Sequence, residues 1–259
     1  MSFIFRGDDN FLAVPGLKTW LDGRYNVVSQ SNLVSFVGDL SSEGNNFTQG
    51  TSERKPQTEE GKWIKFIGQS GPIVSLRSSR LNFNFLHNGS PHGVYGIVKW
   101  TWNVPVTHTF LATTGAQSTG MQFLIQQTVS NGRVSVIIRN EGVIPRTVAI
   151  SNLLPTFPNE IEPLEPRVLS QVFLGANISN NQIMRLGDLE VISTDISTMS
   201  EYNTADHESF SIGAASSLTE YENLGVLLIY DWTGYTPEQV LIFDARIRAL
   251  LTTTLPVFM

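Results

Sequence analysis

DLSSEGNNFTQ, residues 39–49, decides how the first part of the chain is read. It opens on an acid, is rich in Ser and Asn, carries one Gly, and follows a strand-like apolar stretch at residues 34–37. Its spacing invites comparison with a calcium loop. Asp39, Ser41 and Glu43 fall where an EF-hand supplies its first three side-chain oxygens, and Gly44 falls on the turn position. The closing position must hold a bidentate Glu, and here it is Gly50. No amphipathic helix flanks the loop on either side. The segment reads instead as a tight polar turn, in which Gly, Asn and Ser tolerate unusual backbone angles and Asp or Asn side chains bond to nearby backbone.

The rest of the composition agrees with a β-rich chain. Of 259 residues 41% are hydrophobic, enough for a sizeable core, while only 15% are charged against a usual quarter. Asn, Ser and Thr carry much of the polar surface instead. The formal net charge of −6 and the scattering of the 17 basic residues, with no run longer than two, argue against a phosphate-binding surface. Nucleic acid is therefore not an expected partner. Cysteine is absent, which removes disulfides, thiolate chemistry and cysteine-ligated zinc. The first ten residues, MSFIFRGDDN, do not read as a secretory signal, and no apolar run approaches the length that spans a bilayer.

Strand-like segments recur with turn signals between them, at residues 17–22, 32–39, 63–66, 73–76, 93–102, 109–114, 121–127, 133–139, 147–151, 167–177, 183–186, 189–193, 209–212 and 224–231. Asn88-Gly89, Asn131-Gly132 and Asn180-Asn181 are hairpin turn signals. Residues 153–166 hold four prolines and read as loop. One helix is signalled by Thr236-Pro237-Glu238-Gln239, an N-cap, a proline in the first turn and a capping-box Gln. Val240, Phe243, Ile247 and Leu250 follow at helical spacing, and Pro256 bounds it. No linker or repeat divides the chain.

A family pattern runs through these elements. Trp20-Leu21-Asp22, Val34, Phe36, the 39–49 turn, Pro56 and Ile64-Lys65-Phe66 stand in one order at the start. Ser211-Ile212-Gly213, Leu227-Leu228-Ile229-Tyr230-Asp231 and Thr236-Pro237-Glu238-Gln239 stand at the end. This resembles concanavalin A-like, laminin G-like jelly-roll domains of the kind found in bacteriophage virion proteins. The resemblance implies an all-β fold, an antiparallel jelly-roll β-sandwich with a short C-terminal α-helix. It implies an N-terminal arm over residues 1–16 and a single domain over 17–259. Many members carry a Glu in the final strand where this chain has Val226.

Catalytic groups are hard to find. Some relatives of this fold are glycosidases with two carboxylates on alternate residues of one strand. Glu160 and Glu162 have that spacing but lie among prolines, which suits a solvated loop. No serine elbow, phosphate loop or histidine pair at helical spacing occurs. Sugar binding needs less: aromatic faces to stack on rings and polar groups for hydroxyls. Trp100 and Trp102 share a strand face with Val98, either as a sugar platform or as core between sheets; Tyr95, Ile97 and Lys99 take the other face. Tyr202, Tyr221, Trp232 and Tyr235 lie near turns, and Asp206-His207-Glu208 is a dense polar cluster before a strand.

The expectation is thus a non-enzymatic bacteriophage virion protein, made in the host cytoplasm and carried on the particle as a head decoration, fibre-associated or tail component. Its expected partners are other virion subunits, copies of itself and host surface glycans, with no membrane. The alternative is a soluble bacterial carbohydrate-binding module or lectin. Trp100, Trp102, Tyr202, Asp206 and His207 are the candidate glycan contacts. No catalytic residue and no cofactor are expected, the metal ligands stay unassigned, and calcium stays open.

Overall fold

The computed structural model describes residues 10–67, 74–78, 83, 85, 86, 89–100, 107–115, 122–128, 133–139, 146–150, 165–176, 178–193, 207–214 and 221–259. In chain order the strands are β1 (Leu17–Asp22), β2 (Val27–Gln30), β3 (Leu33–Val37), β4 (Phe47–Thr48), β5 (Gln57–Glu59), β6 (Trp63–Ile67), β7 (Leu76–Ser78), β8 (His92–Trp100) and β9 (Thr107–Gly115). They continue with β10 (Gln122–Thr128), β11 (Arg133–Arg139), β12 (Arg146–Ile150), β13 (Arg167–Phe173), β14 (Gln182–Leu186), β15 (Leu189–Ser193), β16 (His207–Ala214) and β17 (Tyr221–Asp231), and the helix is α1 (Pro237–Thr254).

The chain is an antiparallel β-sandwich with a C-terminal helix. One layer runs β1-β17-β8-β13-β14-β15. The other runs β2-β3-β4-β7-β16-β9-β10-β11-β12. Strand β6 bonds to β5 and to the first half of β17, tying the layers together.

Strand alternation sorts the apolar residues into two clusters. On β17, Leu224, Leu227 and Ile229 enter the core between the sheets, while Val226, Leu228 and Tyr230 face the helix. The bulge between Leu224 and Val226 resets this alternation. On β8, Val94 and Val98 take the inner side, and Tyr95 and Ile97 take the helix side. Partners from the opposite layer, among them Val37, Phe47, Phe110, Phe210 and Ile212, complete the inner core. Gly213 allows this packing. It sits at φ +76°, and a Cβ there would lie 1.9 Å from the Phe66 ring.

Helix α1 covers the outer face of the first layer. Its start is the capping box expected from sequence. Gln239 N donates to Thr236 Oγ1 at 3.4 Å, and Thr236 N donates to Gln239 Oε1 at 2.9 Å. Its buried stripe differs from the sequence expectation. Val240, Asp244, Ile247, Leu251 and Thr254 are buried, whereas Phe243 and Leu250 are only partly so. The helix thus lies rotated so that an acid, Asp244, points into the sheet.

Residues before β1 also join this outer cluster. Phe11 and Val14 are buried in it, Tyr230 OH donates to the Phe11 carbonyl at 3.2 Å, and Trp232 Nε1 donates to the Pro15 carbonyl at 3.0 Å.

Two differences from the sequence reading have local causes. The segment expected to run to residue 177 stops at Phe173, because Gly175 follows at φ +112°, outside strand geometry. Strand β2 was not expected. Ser31 and Asn32 both hold positive φ, the signature of a two-residue hairpin turn, and set Gln30 opposite Leu33.

Candidate functional site

The 39–49 turn is held by its first residue. Asp39 Oδ1 accepts from Trp20 N at 2.8 Å and Ser41 N at 2.9 Å. Asp39 Oδ2 accepts from Ser41 Oγ at 2.6 Å and Asn45 N at 2.8 Å. The Asn46 side chain returns the contact by accepting from Asp39 N at 2.9 Å, and Asn45 Nδ2 donates to the Lys18 carbonyl at 2.6 Å. Four donors occupy the carboxylate, and one of them belongs to β1. The loop is a clasp between the two layers, and Asp39 is its anchor.

Trp102, Tyr202 and Asp206 lie outside the described residues, as do Glu160 and Glu162. Trp100 ends β8 with its backbone opposite Glu222, and His207 begins β16 opposite Gly115; their side chains lie outside the description. Of the turn aromatics Trp232 is corrected to a buried residue, while Tyr235 stays half-buried at its turn. Trp232 is completely buried, stacked on Tyr230 at 5.6 Å, and Tyr235 packs edge-on against Phe243 at 5.2 Å. Both rings pack against Phe243 of α1. Val226 is buried under α1, so an acid there would lose its hydration in this chain.

Two polar centres were not singled out from sequence. The first is buried beneath the helix. Asp244 accepts from Tyr95 OH at 3.1 Å, Arg185 Nη1 at 2.9 Å and Arg248 Nε at 3.2 Å. Arg185 also pairs with Glu190. Burial, then the neighbouring Asp244 charge, push the Tyr95 phenol well above its ordinary range, so it remains a donor. The Asp244–Arg248 spacing of four residues was the available signal.

The second is an open cleft of about 720 Å³ beside that network, between the start of β13, the β14–β15 turn and the last turns of α1. The volume falls within the usual range of small-ligand sites, roughly 300–1,000 Å³. Arg167, Asp188, Arg248 and Thr252 supply its polar groups, and Val168, Leu189 and Leu255 are among its apolar ones. Gly187, at φ +57°, makes the two-residue turn that places Asp188 at the rim, and its N–H donates to the Val168 carbonyl at 2.9 Å. Such a turn between two apolar strands was legible; that it would meet α1 was not.

Among the described residues no group of three or more His, Asp or Glu is arranged to hold a metal ion, and no helix is long and apolar enough to cross a membrane.

The botulinum neurotoxin serotype G binding domain superposes with a TM-score of 0.59 at 9% identity, over 89% of this chain and 51% of that one. The binding domain of botulinum neurotoxin DC, solved in complex with SialylT, gives 0.56 at 9% identity over 89% and 52%. A botulinum neurotoxin type C structure, described with cell entry dependent upon interaction with two ganglioside molecules, gives 0.55 at 11% identity over 89% and 51%. The shared feature is the fold. This chain spans about half the length of the toxin domains it matches. No family model and no curated protein matches the sequence.

Proposed function

We propose that this chain is a non-enzymatic, glycan-binding β-sandwich module, acting as one unit over residues 17–259 with residues 1–16 as its arm. The observation that carries the reading is the overlap of 89% of the chain with binding domains, one of them solved in complex with SialylT. The open cleft at the β14–β15 turn adds to it, since sugar sites combine a few convergent polar groups with an apolar wall. The concanavalin A-like resemblance in sequence points the same way.

Placement on a bacteriophage particle, with other virion subunits and further copies of the chain as partners, belongs to the same proposal. It rests on the sequence resemblance to phage jelly-roll proteins. Host surface glycans are then the ligand such a particle would meet. The test of the binding role is a glycan array probed with the purified chain in calcium and again in chelator. Saturable binding to a defined glycan supports the role, and its absence under both conditions removes it. The particle setting is tested by mass spectrometry of purified virions, where the chain should occur in stoichiometric copy number.

A further inference from the structure

The cleft described above has a charge pattern that selects among glycans. Its charged lining is two guanidiniums, Arg167 and Arg248, against one carboxylate, Asp188, in a chain whose overall formal charge is −6. The three are differently committed. Arg248 spends its Nε on Asp244, leaving both terminal nitrogens without a bond among the described residues. The Arg167 guanidinium and the Asp188 carboxylate make no ion pair or hydrogen bond among the described residues. Arg167 opens β13 opposite Val98, and its stem passes within 3.9 Å of where a Cβ on Gly187 would stand. Its stem therefore runs beside the turn.

A guanidinium is worth most when it meets a planar anion through two parallel N–H donors. The Thr252 hydroxyl donates to the Arg248 carbonyl at 2.8 Å and keeps its lone pairs for a ligand hydroxyl. Asp188 can accept from vicinal hydroxyls. Leu189, 44% exposed, and Leu255 offer apolar surface for the C–H face of a pyranose. The last turn of α1 brings partial negative charge to one wall, and Arg248, more than a turn before the helix end, is already committed to Asp244. Arg167, on the strand side, is the arginine left to hold an anion.

Building on the glycan-binding reading, we infer that this cleft takes an anionic saccharide, with Arg167 on the acidic group and Asp188 and Thr252 on hydroxyls. The acidic group is a carboxylate or a sulfate ester; both present oxygens to the arginine fork.

The test is an array carrying neutral, sialylated, uronic-acid and sulfated glycans, probed with the unaltered chain, Arg167→Ala, Arg167→Lys and Asp188→Asn. Free N-acetylneuraminic acid, glucuronic acid and a sulfated lactose are titrated in parallel. Acidic glycans should be retained over neutral ones, more weakly as salt rises. Arg167→Ala should weaken them about 10–100-fold with an unchanged thermal melt, and Arg167→Lys should recover part of the loss. The carboxylate and sulfate arms then say which acid is preferred. Binding of neutral glycans that Arg167→Ala does not touch would overturn this inference and leave the module a glycan binder. Acidic binding indifferent to both Arg167→Ala and Asp188→Asn would overturn it by putting the site elsewhere. No binding to any glycan would overturn the broader reading and this one with it.

Discussion

His92 should make the fold acid-sensitive well above the range where carboxylates titrate. It opens β8 and is completely buried against Phe85 and Phe173. The Ser90 carbonyl lies 2.9 Å from Nδ1 and can only accept, so Nδ1 carries the proton and the bare Nε2 faces the Gln171 amide nitrogen at 3.4 Å. Burial lowers the imidazole from 6.5 to about 4, against the opposing influence of the Ser90 carbonyl and the Asp231 charge. The unfolded chain therefore binds the proton more readily than the folded one between those two values. The stability this neutral histidine contributes is intact above pH 6.5 and is lost as pH falls toward 4. A drop of about 2.5 units is worth about 3 kcal/mol in full, of which about 2 kcal/mol is already gone at pH 5.

Urea unfolding at pH 7, 6 and 5 measures this directly when the unaltered chain is run beside His92→Gln. The variant keeps a polar, uncharged side chain at the site and has nothing to titrate there. Whatever it costs at pH 7, its stability should fall less between pH 7 and 5, by about 2 kcal/mol. Parallel curves for the two proteins would refute the argument, because they would mean that His92 takes up its proton equally well folded and unfolded.

Two further outcomes follow from the buried polar contacts. Asp39→Ala orphans the Trp20, Ser41 and Asn45 amides and should cost about 2–4 kcal/mol in urea unfolding. Glu43→Ala, in the same loop, removes only a half-exposed pair with Lys18 and should stay within about 0.5 kcal/mol of the unaltered chain. Asp244→Ala leaves the buried Tyr95 hydroxyl without its acceptor and Arg185 with Glu190 alone, and should cost about 2–4 kcal/mol, with Tyr95→Phe losing less; equal losses from the two variants would contradict the assignment of Asp244 as the centre of that network.

The layered β fold and the helix were legible because their signals are local. Alternation in 133–139 and 189–193 and the Thr236 capping box each act within one element, and β11, β15 and α1 follow them. Strands β4 and β5 are two and three residues long, too short for any period to show. The helix stripe was misread because Phe243 outranks Asp244 on hydrophobicity alone. What reverses them is Arg185, 59 residues away in sequence, which gives the buried acid an ion-pair partner. Trp232 was misread for the same reason: a tryptophan after a strand looks like a turn residue until Tyr95, Tyr230 and the Pro15 carbonyl enclose it. The cleft joins β13, the β14–β15 turn and α1, so Arg167 and Arg248 meet only through the fold.

The pairing of β1 with β17 sets Leu17 opposite Tyr230. At roughly 5–20 residues per second, a ribosome that has made β1 needs on the order of 10–40 s to deliver the strand that will flank it. Through that interval Trp20 and Leu21 have no sheet to enter, and β8 lacks one of its two neighbours. Contacts this distant along the chain slow folding and lengthen the exposure of strand edges. The order of synthesis thus leaves the first layer open between β1 and β8 until a late strand arrives, and a nascent chain halted before residue 221 should be held by chaperones or lost to proteolysis.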